Sequence, residues 1–295
     1  MTFDASTTAD EVLAGVDLTG RTAIVTGAGS GIGRVTAAAL ARAGATVVAG
    51  VRDPAAFDLP GVEARRLDLA DLDQVAKFAG TFDTADMLIN NAGVMACPLT
   101  RVGAGRELQF AVNHLGHFAL TRHLWPALLR GADAVVVAVS SNVRPDAPIR
   151  WDDPYFVAEP YDRWAAYAQS KAANALFAAH LDVLGRPHGV RAVSVHPGAI
   201  LTPLQRHLTR EEMVAAGWID AQGRAAEYFK TVEQGAATQV WAAVTPSVAG
   251  VHCADCAVTP FRPDPADAAR LWALSGRLTG LPLDRVGAAT GLLPG

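Results

Sequence analysis

The sequence predicts an α/β fold, a doubly wound parallel sheet of about seven strands with helices on both faces. Three observations predict it. Short β-branched apolar runs alternate with longer Ala- and Leu-rich segments of helical spacing. The runs are apolar at consecutive positions rather than at alternate ones, as strands covered on both faces are. A glycine-rich stretch stands between the first run and the first helical segment.

Residues 22–26 give the first strand and 31–43 the first helix, with Ile32, Val35, Ala39 and Leu40 on one side. Strands follow at 46–50 and 62–67, then a helix at 72–80 and a strand at 86–89. A long helical segment over 105–129 leads to a fifth strand at 134–139, and a helix over 164–184 leads to a sixth at 190–195. Two stretches break the alternation. Residues 142–163 are rich in Pro, Asp and aromatics, and 199–230 begin as a loop and continue through short amphipathic pieces such as 210–216. Both follow strands at the carboxyl edge of the sheet, where open α/β sheets bind ligands. They are expected to wall a substrate site within one domain spanning 1–295.

Composition narrows the function classes. With 295 residues, 51% hydrophobic and 18% charged, the chain can bury a large core and is not of disordered type. A net charge of -4 leaves no basic footprint for nucleic acid. No apolar run reaches the roughly 18 residues a membrane helix needs. Residues 1–17 are polar and acidic, unlike a secretory signal, so a cytoplasmic protein is expected. The cysteines Cys97, Cys253 and Cys256 do not suggest a disulfide framework. Cys253-Ala254-Asp255-Cys256 reads as a redox pair, half a zinc site, or two packing residues on a late strand. With no second such pair to complete a metal site, packing is expected.

The strongest local motif is Thr26-Gly27-Ala28-Gly29-Ser30-Gly31-Ile32-Gly33, after a strand and before a helix. Glycines there permit a tight turn and close approach to a pyrophosphate, which the helix N-terminus then attracts. In that context the motif marks a Rossmann-type dinucleotide site. The second strand ends in Gly50-Val51-Arg52-Asp53. Arg52 suits the 2′-phosphate of NADP, whereas an acidic residue would serve the ribose diol of NAD. NADP(H) is therefore expected. If Arg52 is only a solvated loop residue, NAD serves as well. Asn90-Asn91-Ala92-Gly93 follows the fourth strand, as an ordinary turn or as a loop fixed against a flat ring.

Tyr167 and Lys171 lie four apart on one helix, hence on one face. A phenol titrates near pH 10, and a neighbouring ammonium favours the phenolate. Lowering it by about three units takes about 4 kcal/mol, within reach of one charge in a partly dry cleft. Ser140-Ser141 ends the fifth strand, where a hydroxyl can stabilise a developing alkoxide. Asn113, within the long helix, can hold a proton-relaying water toward Lys171. Pro197-Gly198 and Thr202 follow the sixth strand, where they can orient a nicotinamide carboxamide. His114, His117 and His123 do not converge and read as structural histidines, with no metal expected. Trp151, Tyr155, Phe156, Tyr161 and Trp164 either wall an apolar pocket or pin the insertion, and Trp218, Tyr228 and Phe229 suit a lid.

In this order the motifs resemble the short-chain dehydrogenase/reductase superfamily in its compact form, over about residues 18–256. The resemblance implies a tetrad of Asn113, Ser141, Tyr167 and Lys171, with Ser141 rather than Ser140. For the dinucleotide it implies Gly27, Ser30, Gly31, Ile32, Gly33, Arg52, Asp68, Leu69, Asn91, Ala92, Gly93, Tyr167, Lys171, Pro197, Gly198, Ile200 and Thr202. Val51-Arg52-Asp53, Asn113-His114-Leu115-Gly116-His117-Phe118, Asp152-Asp153, Tyr167 to Asn174, Asp255-Cys256 and Leu271-Trp272 narrow it to the branch of retinol dehydrogenases and WW-domain oxidoreductases. That branch implies NADP(H) and lipophilic aldehydes, ketones or alcohols. The chain departs from it in showing neither a membrane anchor nor a WW module, which favours a soluble carbonyl reductase. Small residues on several faces of the helix at 164–184 fit the helix pairing of homodimers and homotetramers in the family. Epimerisation or dehydration, and a catalytically silent dinucleotide sensor, are the alternative functions. The first usually needs a larger C-terminal domain, and the second usually lacks the Tyr or Lys.

Overall fold

The computed structural model describes residues 3–141 and 147–281, so the first five residues of the expected insertion at 142–163 lie outside it. The helical and strand elements run α1 (Ala9–Val12), β1 (Thr22–Thr26), α2 (Gly31–Arg42), β2 (Thr46–Val51), β3 (Val62–Arg66), α3 (Leu72–Ala79), β4 (Met87–Asn90), β5 (Arg101–Val102) and β6 (Arg106–Glu107). They continue with α4 (Leu108–Phe110), a π-helical turn (Ala111–Leu115), α5 (Gly116–Arg130), β7 (Val135–Val139), α6 (Arg163–Gly185) and β8 (Arg191–His196). The chain closes through α7 (Arg210–Ala215), α8 (Val232–Val244), β9 (His252–Ala254), β10 (Ala257–Val258) and α9 (Pro265–Thr279).

Among the described residues the main sheet has eight strands in the order β10-β9-β8-β7-β4-β1-β2-β3. All neighbours are parallel except β10, which turns back on β9. The strand order reverses between β1 and β4, and ligands bind at the carboxyl side of such a switch point. The expected sheet of about seven strands gains β10 through a tight hairpin turn. In that turn Asp255 and Cys256 both take positive φ, 51° and 55°. Cys253 and Cys256 are buried and unpaired by disulfide, as packing residues are.

Successive strand residues face opposite sides of the sheet, and both sides are covered. Val25, Val47, Ile89 and Val137 join Leu40 of α2 and Val240 of α8 in one core. Their neighbours Ile24, Val48, Leu88 and Val136 join Phe118 and Leu124 of α5, Leu181 of α6 and Trp272 of α9 in the other. Burial on both faces is why these strands read as unbroken apolar runs.

One element differs from its expectation. The segment read as helix from residue 105 opens instead with the β5–β6 hairpin, and the helix starts at Leu108. The buried carboxylate of Glu107 sets that start by accepting the N–H groups of Gln109 at 2.9 Å and Phe110 at 2.7 Å.

Candidate active site

The glycine loop connects β1 to α2 beside the switch point. Gly27 has φ +69°, and a Cβ there would lie 2.7 Å from the Ala92 backbone. At Gly33 a Cβ would collide with the Asn91 side chain. Asn91 in turn donates from Nδ2 to the Thr26 carbonyl at 2.8 Å, locking the loop after β4 under the loop after β1. A Cβ on Gly29 would meet only Val51 Cγ1, at 3.9 Å, so that side of the loop is open. Ser30 caps α2 without a side-chain bond, leaving the first-turn N–H groups of a 12-residue helix facing that opening. An open cradle lined by backbone donors at a helix N-terminus fits a dinucleotide pyrophosphate.

Around the cradle, Arg52 is exposed and makes no ion pair with any described residue. Asp53 is committed elsewhere: its carboxylate accepts the Ala55 N–H at 3.1 Å and caps the turn Pro54–Ala56. Arg206 stands near enough to Arg52 that, after partial burial, the Arg52 charge is the next cause lowering its pKa. Thr202 packs against Gly31, 3.3 Å from where a Cβ would be, while its hydroxyl caps the turn Pro203–Gln205. Gly198 has φ +100° and lies against the Lys230 side chain. Ile32 and Ile200 both pack toward Gly235 of α8, Ile32 half-buried. Asp68 accepts the Ala70 N–H at 3.0 Å, and the Leu69 side chain is buried in the second core.

The expected reacting side chains meet where β7 and α6 come together. Asp162 caps α6 by accepting the Trp164 and Ala165 N–H groups. Tyr167 is 4% exposed. Burial pushes its phenol up to about 12, opposed by a hydrogen bond with Ser141. The two serines divide roles. Ser140 donates to the Lys171 carbonyl at 2.7 Å and is structural, whereas Ser141 meets the phenol. Lys171 Nζ donates to the Val139 carbonyl at 3.0 Å and lies 5.9 Å from the Tyr167 ring centroid. Burial lowers its ammonium to about 8.

Burial opposes the expected lowering of the Tyr167 pKa by Lys171, raising the phenol and lowering the ammonium. Burial acts on both groups. Apart from any charge a dinucleotide brings, burial alone thus works against both the phenolate and the ammonium. The lysine can favour phenolate only below about 8.

Asn113 is held by its own bonds to the neighbouring loop and helix. It lies in the π-helical turn. Its Oδ1 accepts the Val94 N–H at 2.8 Å, and its Nδ2 donates to the Val94 carbonyl and to Ser170 Oγ, both at 2.9 Å. These bonds fix the side chain and leave Oδ1 one further acceptor position. Gly93 borders this group: a Cβ there would sit 3.3 Å from Asn113 Oδ1 and 3.6 Å from Lys171 Nζ.

An apolar wall adjoins the phenol. Met95, Ala96 and Tyr167 form a buried cluster with Trp164, Leu204, Leu208 and Trp218 against it. Trp164 meets both Tyr167 and Trp218 edge-on, and Trp218 meets Phe229. Members of the two aromatic groups meet here. Trp164 and Trp218 border Tyr167, with Phe229 behind Trp218, while Tyr161 pins the insertion through Cys97 and Gln109. Met95, Ala96, Leu204 and Leu208 carry no motif; their only sequence signal is position just after β4 and β8. Ser170 lay inside the Tyr–Lys spacing but had no role assigned by it.

His114 bonds Ser275 Oγ at 2.7 Å, and burial lowers its pKa to about 3, as befits a structural histidine. Among the described residues, no group of three or more His, Cys, Asp or Glu could hold a metal ion, and no helix is long and apolar enough to cross a membrane.

A model of the family described as short chain dehydrogenase matches residues 21–213. A probable oxidoreductase of Streptomyces lividans is 44% identical over 250 residues, covering 80% of this chain and 84% of its own length. Human retinol dehydrogenase 13 is 36% identical, covering 89% and 85%. Among solved structures, a putative uncharacterized protein from Mycobacterium paratuberculosis superimposes with a TM-score of 0.75 at 35% identity, over 94% of this chain and 100% of that one. A putative NAD(P)-dependent gluconate 5-dehydrogenase from Beutenbergia cavernae with bound NADP gives 0.60 at 29% identity, over 81% and 96%. On this evidence, the chain belongs to the short-chain dehydrogenase/reductase family and is an oxidoreductase of it.

Proposed function

We propose that the protein is an NADP(H)-dependent carbonyl reductase or alcohol dehydrogenase acting on lipophilic aldehydes, ketones or secondary alcohols, with Tyr167 as the general acid/base. The observation that carries this reading is the meeting of Tyr167, Ser141 and Lys171 beside the apolar wall of Trp164, Trp218 and Met95. When bound, the dinucleotide supplies or takes the hydride and, in its oxidised form, adds a positive charge near the phenol. The rest falls to the chain. Ser141 donates to the substrate oxygen and orients it toward Tyr167. In reduction the phenol gives its proton to that oxygen as negative charge develops there, and charged Lys171 stabilises the phenolate left behind. The apolar wall excludes water and selects a lipophilic substituent.

Arg52 supports NADP over NAD. Among the described residues it has no ion-pair partner and lies beside the open glycine loop, Asp53 is occupied as a cap, and Arg206 adds positive charge nearby. The bound NADP in the Beutenbergia relative is consistent with this. An NADPH-oxidation screen over aldehydes and ketones of increasing apolar size tests the reading. It predicts turnover with NADPH that improves with apolar bulk. Turnover confined to small polar carbonyls would contradict the substrate class, and no oxidation across the panel would contradict the activity.

A further inference from the structure

His117 is buried and has no part in the chemistry above. Its ring nevertheless joins two regions of the site. Nδ1 lies 2.9 Å from the Asn113 carbonyl oxygen, and Nε2 lies 2.8 Å from the Thr26 hydroxyl. A carbonyl only accepts, so Nδ1 carries the proton. Burial lowers the imidazole to about 4, so the ring is neutral at pH 7 and Nε2 is an acceptor. Thr26 therefore donates to it; the Ile89 carbonyl, at 3.3 Å, is the longer alternative. The same Thr26 oxygen accepts the N–H groups of Asn91 and Ala92, each at 3.0 Å.

Beyond Asn113 the chain of bonds continues. Asn113 donates to Ser170, and Ser170 donates to the Tyr167 carbonyl at 2.8 Å. One connected path thus runs from the loops that would seat a dinucleotide, through one imidazole, to the backbone of the helix that carries the phenol.

We propose that His117 is a positioning residue whose Nδ1–H tautomer couples the dinucleotide loops, through Thr26, to Asn113 and the Tyr167 helix. The proposal rests on the oxidoreductase reading above. Two substitutions separate the halves of the ring. His117→Asn places an amide near Nδ1, keeping a donor for Asn113 and losing the acceptor for Thr26. His117→Gln places one near Nε2, keeping the Thr26 acceptor and losing the Asn113 donor.

Both are read by NADPH affinity, from its fluorescence on titration, and by kcat at saturating NADPH. His117→Asn should weaken NADPH about three- to tenfold with little change in kcat, the worth of one net hydrogen bond. His117→Gln should do the reverse, lowering kcat by a similar factor. Equal losses of both parameters in both variants, or a lowered melting temperature with neither changed, would reduce His117 to a packing residue and overturn the proposal. Proton–nitrogen correlation NMR on the unmodified protein gives a test that needs no variant. A neutral Nδ1–H ring at pH 7 is expected, and an Nε2–H ring or an imidazolium overturns the coupling. If the unmodified protein binds NADPH but the variants do not split, this inference alone fails. If it binds neither NADPH nor NADH, the oxidoreductase reading fails and takes the inference with it.

Discussion

Replacing Lys171 with Met removes a charge placed to stabilise a phenolate at Tyr167. The ammonium nitrogen lies 5.9 Å from the ring centroid. At an effective dielectric of about 20, a unit charge at that distance is worth about 3 kcal/mol, or roughly a hundredfold in rate. The pH dependence follows from the same burial. The lysine is charged below about 8 and neutral above it. Carbonyl reduction by the unmodified enzyme should therefore hold steady from pH 6 to about 8 and fall above. Lys171→Met should be roughly a hundredfold slower at pH 7 and lack that fall. Lys171→Arg keeps its charge throughout, so its fall should move to higher pH. The assay is kcat/KM for NADPH-dependent reduction across pH, with buffers of constant ionic strength. A Met variant that keeps the inflection near 8, or that runs within about threefold of the parent at pH 7, would refute the reasoning. Stability gives a second sign. A lysine whose pKa falls from 10.5 to about 8 on folding binds its proton less tightly than in the unfolded chain, which costs the fold roughly 3 kcal/mol at neutral pH. The Met variant should melt higher at pH 7, and the parent should gain stability as pH rises from about 8 toward 10.5.

Two further outcomes follow from the charges. Arg52→Ala should weaken NADPH by about ten- to a hundredfold and NADH by little, the worth of a lost charge-assisted bond to phosphate; equal losses for both would remove Arg52 from that role. Acidification should destabilise the fold. His114 is lowered to about 3, and His117, His196 and His252 to about 4, all by burial first. In the unfolded chain they take up protons near 6.5, so stability present at neutral pH is lost as pH falls from about 6.5 toward 4. Each contributes about 1 kcal/mol of loss by roughly pH 5.5. A melting temperature that stays flat between pH 7 and 5 would contradict this.

Much of the architecture was legible because the physics is local. Strands buried on both faces read as apolar at every position, and Ile24 and Val25 fill opposite cores for that reason. The glycine loop was legible because Gly27 and Gly33 sit where a Cβ has no room. The hairpin ahead of Leu108 was hidden because its strands are two residues each and leave no periodicity. Helix α8 was hidden because its residues are buried on nearly every side, so no polar stripe marks it. At the site, residue identity was readable and energetics was not. The Tyr167 and Lys171 spacing placed the pair, but the pKa of each is shifted first by burial, with the Ser141 hydrogen bond opposing it at Tyr167. The His117 link joins Thr26 to Asn113 across 91 residues of sequence between Thr26 and the ring, which no short motif encodes.

The most direct test is Tyr167→Phe, measured for NADPH binding and for turnover of whichever lipophilic carbonyl the screen finds best. The fold and the glycine cradle are untouched by removing one hydroxyl, so NADPH affinity should be retained. Loss of the proton donor should cut kcat by about a hundredfold to ten-thousandfold. Turnover within about tenfold of the parent would show that the proton comes from elsewhere and would contradict the mechanism at its centre.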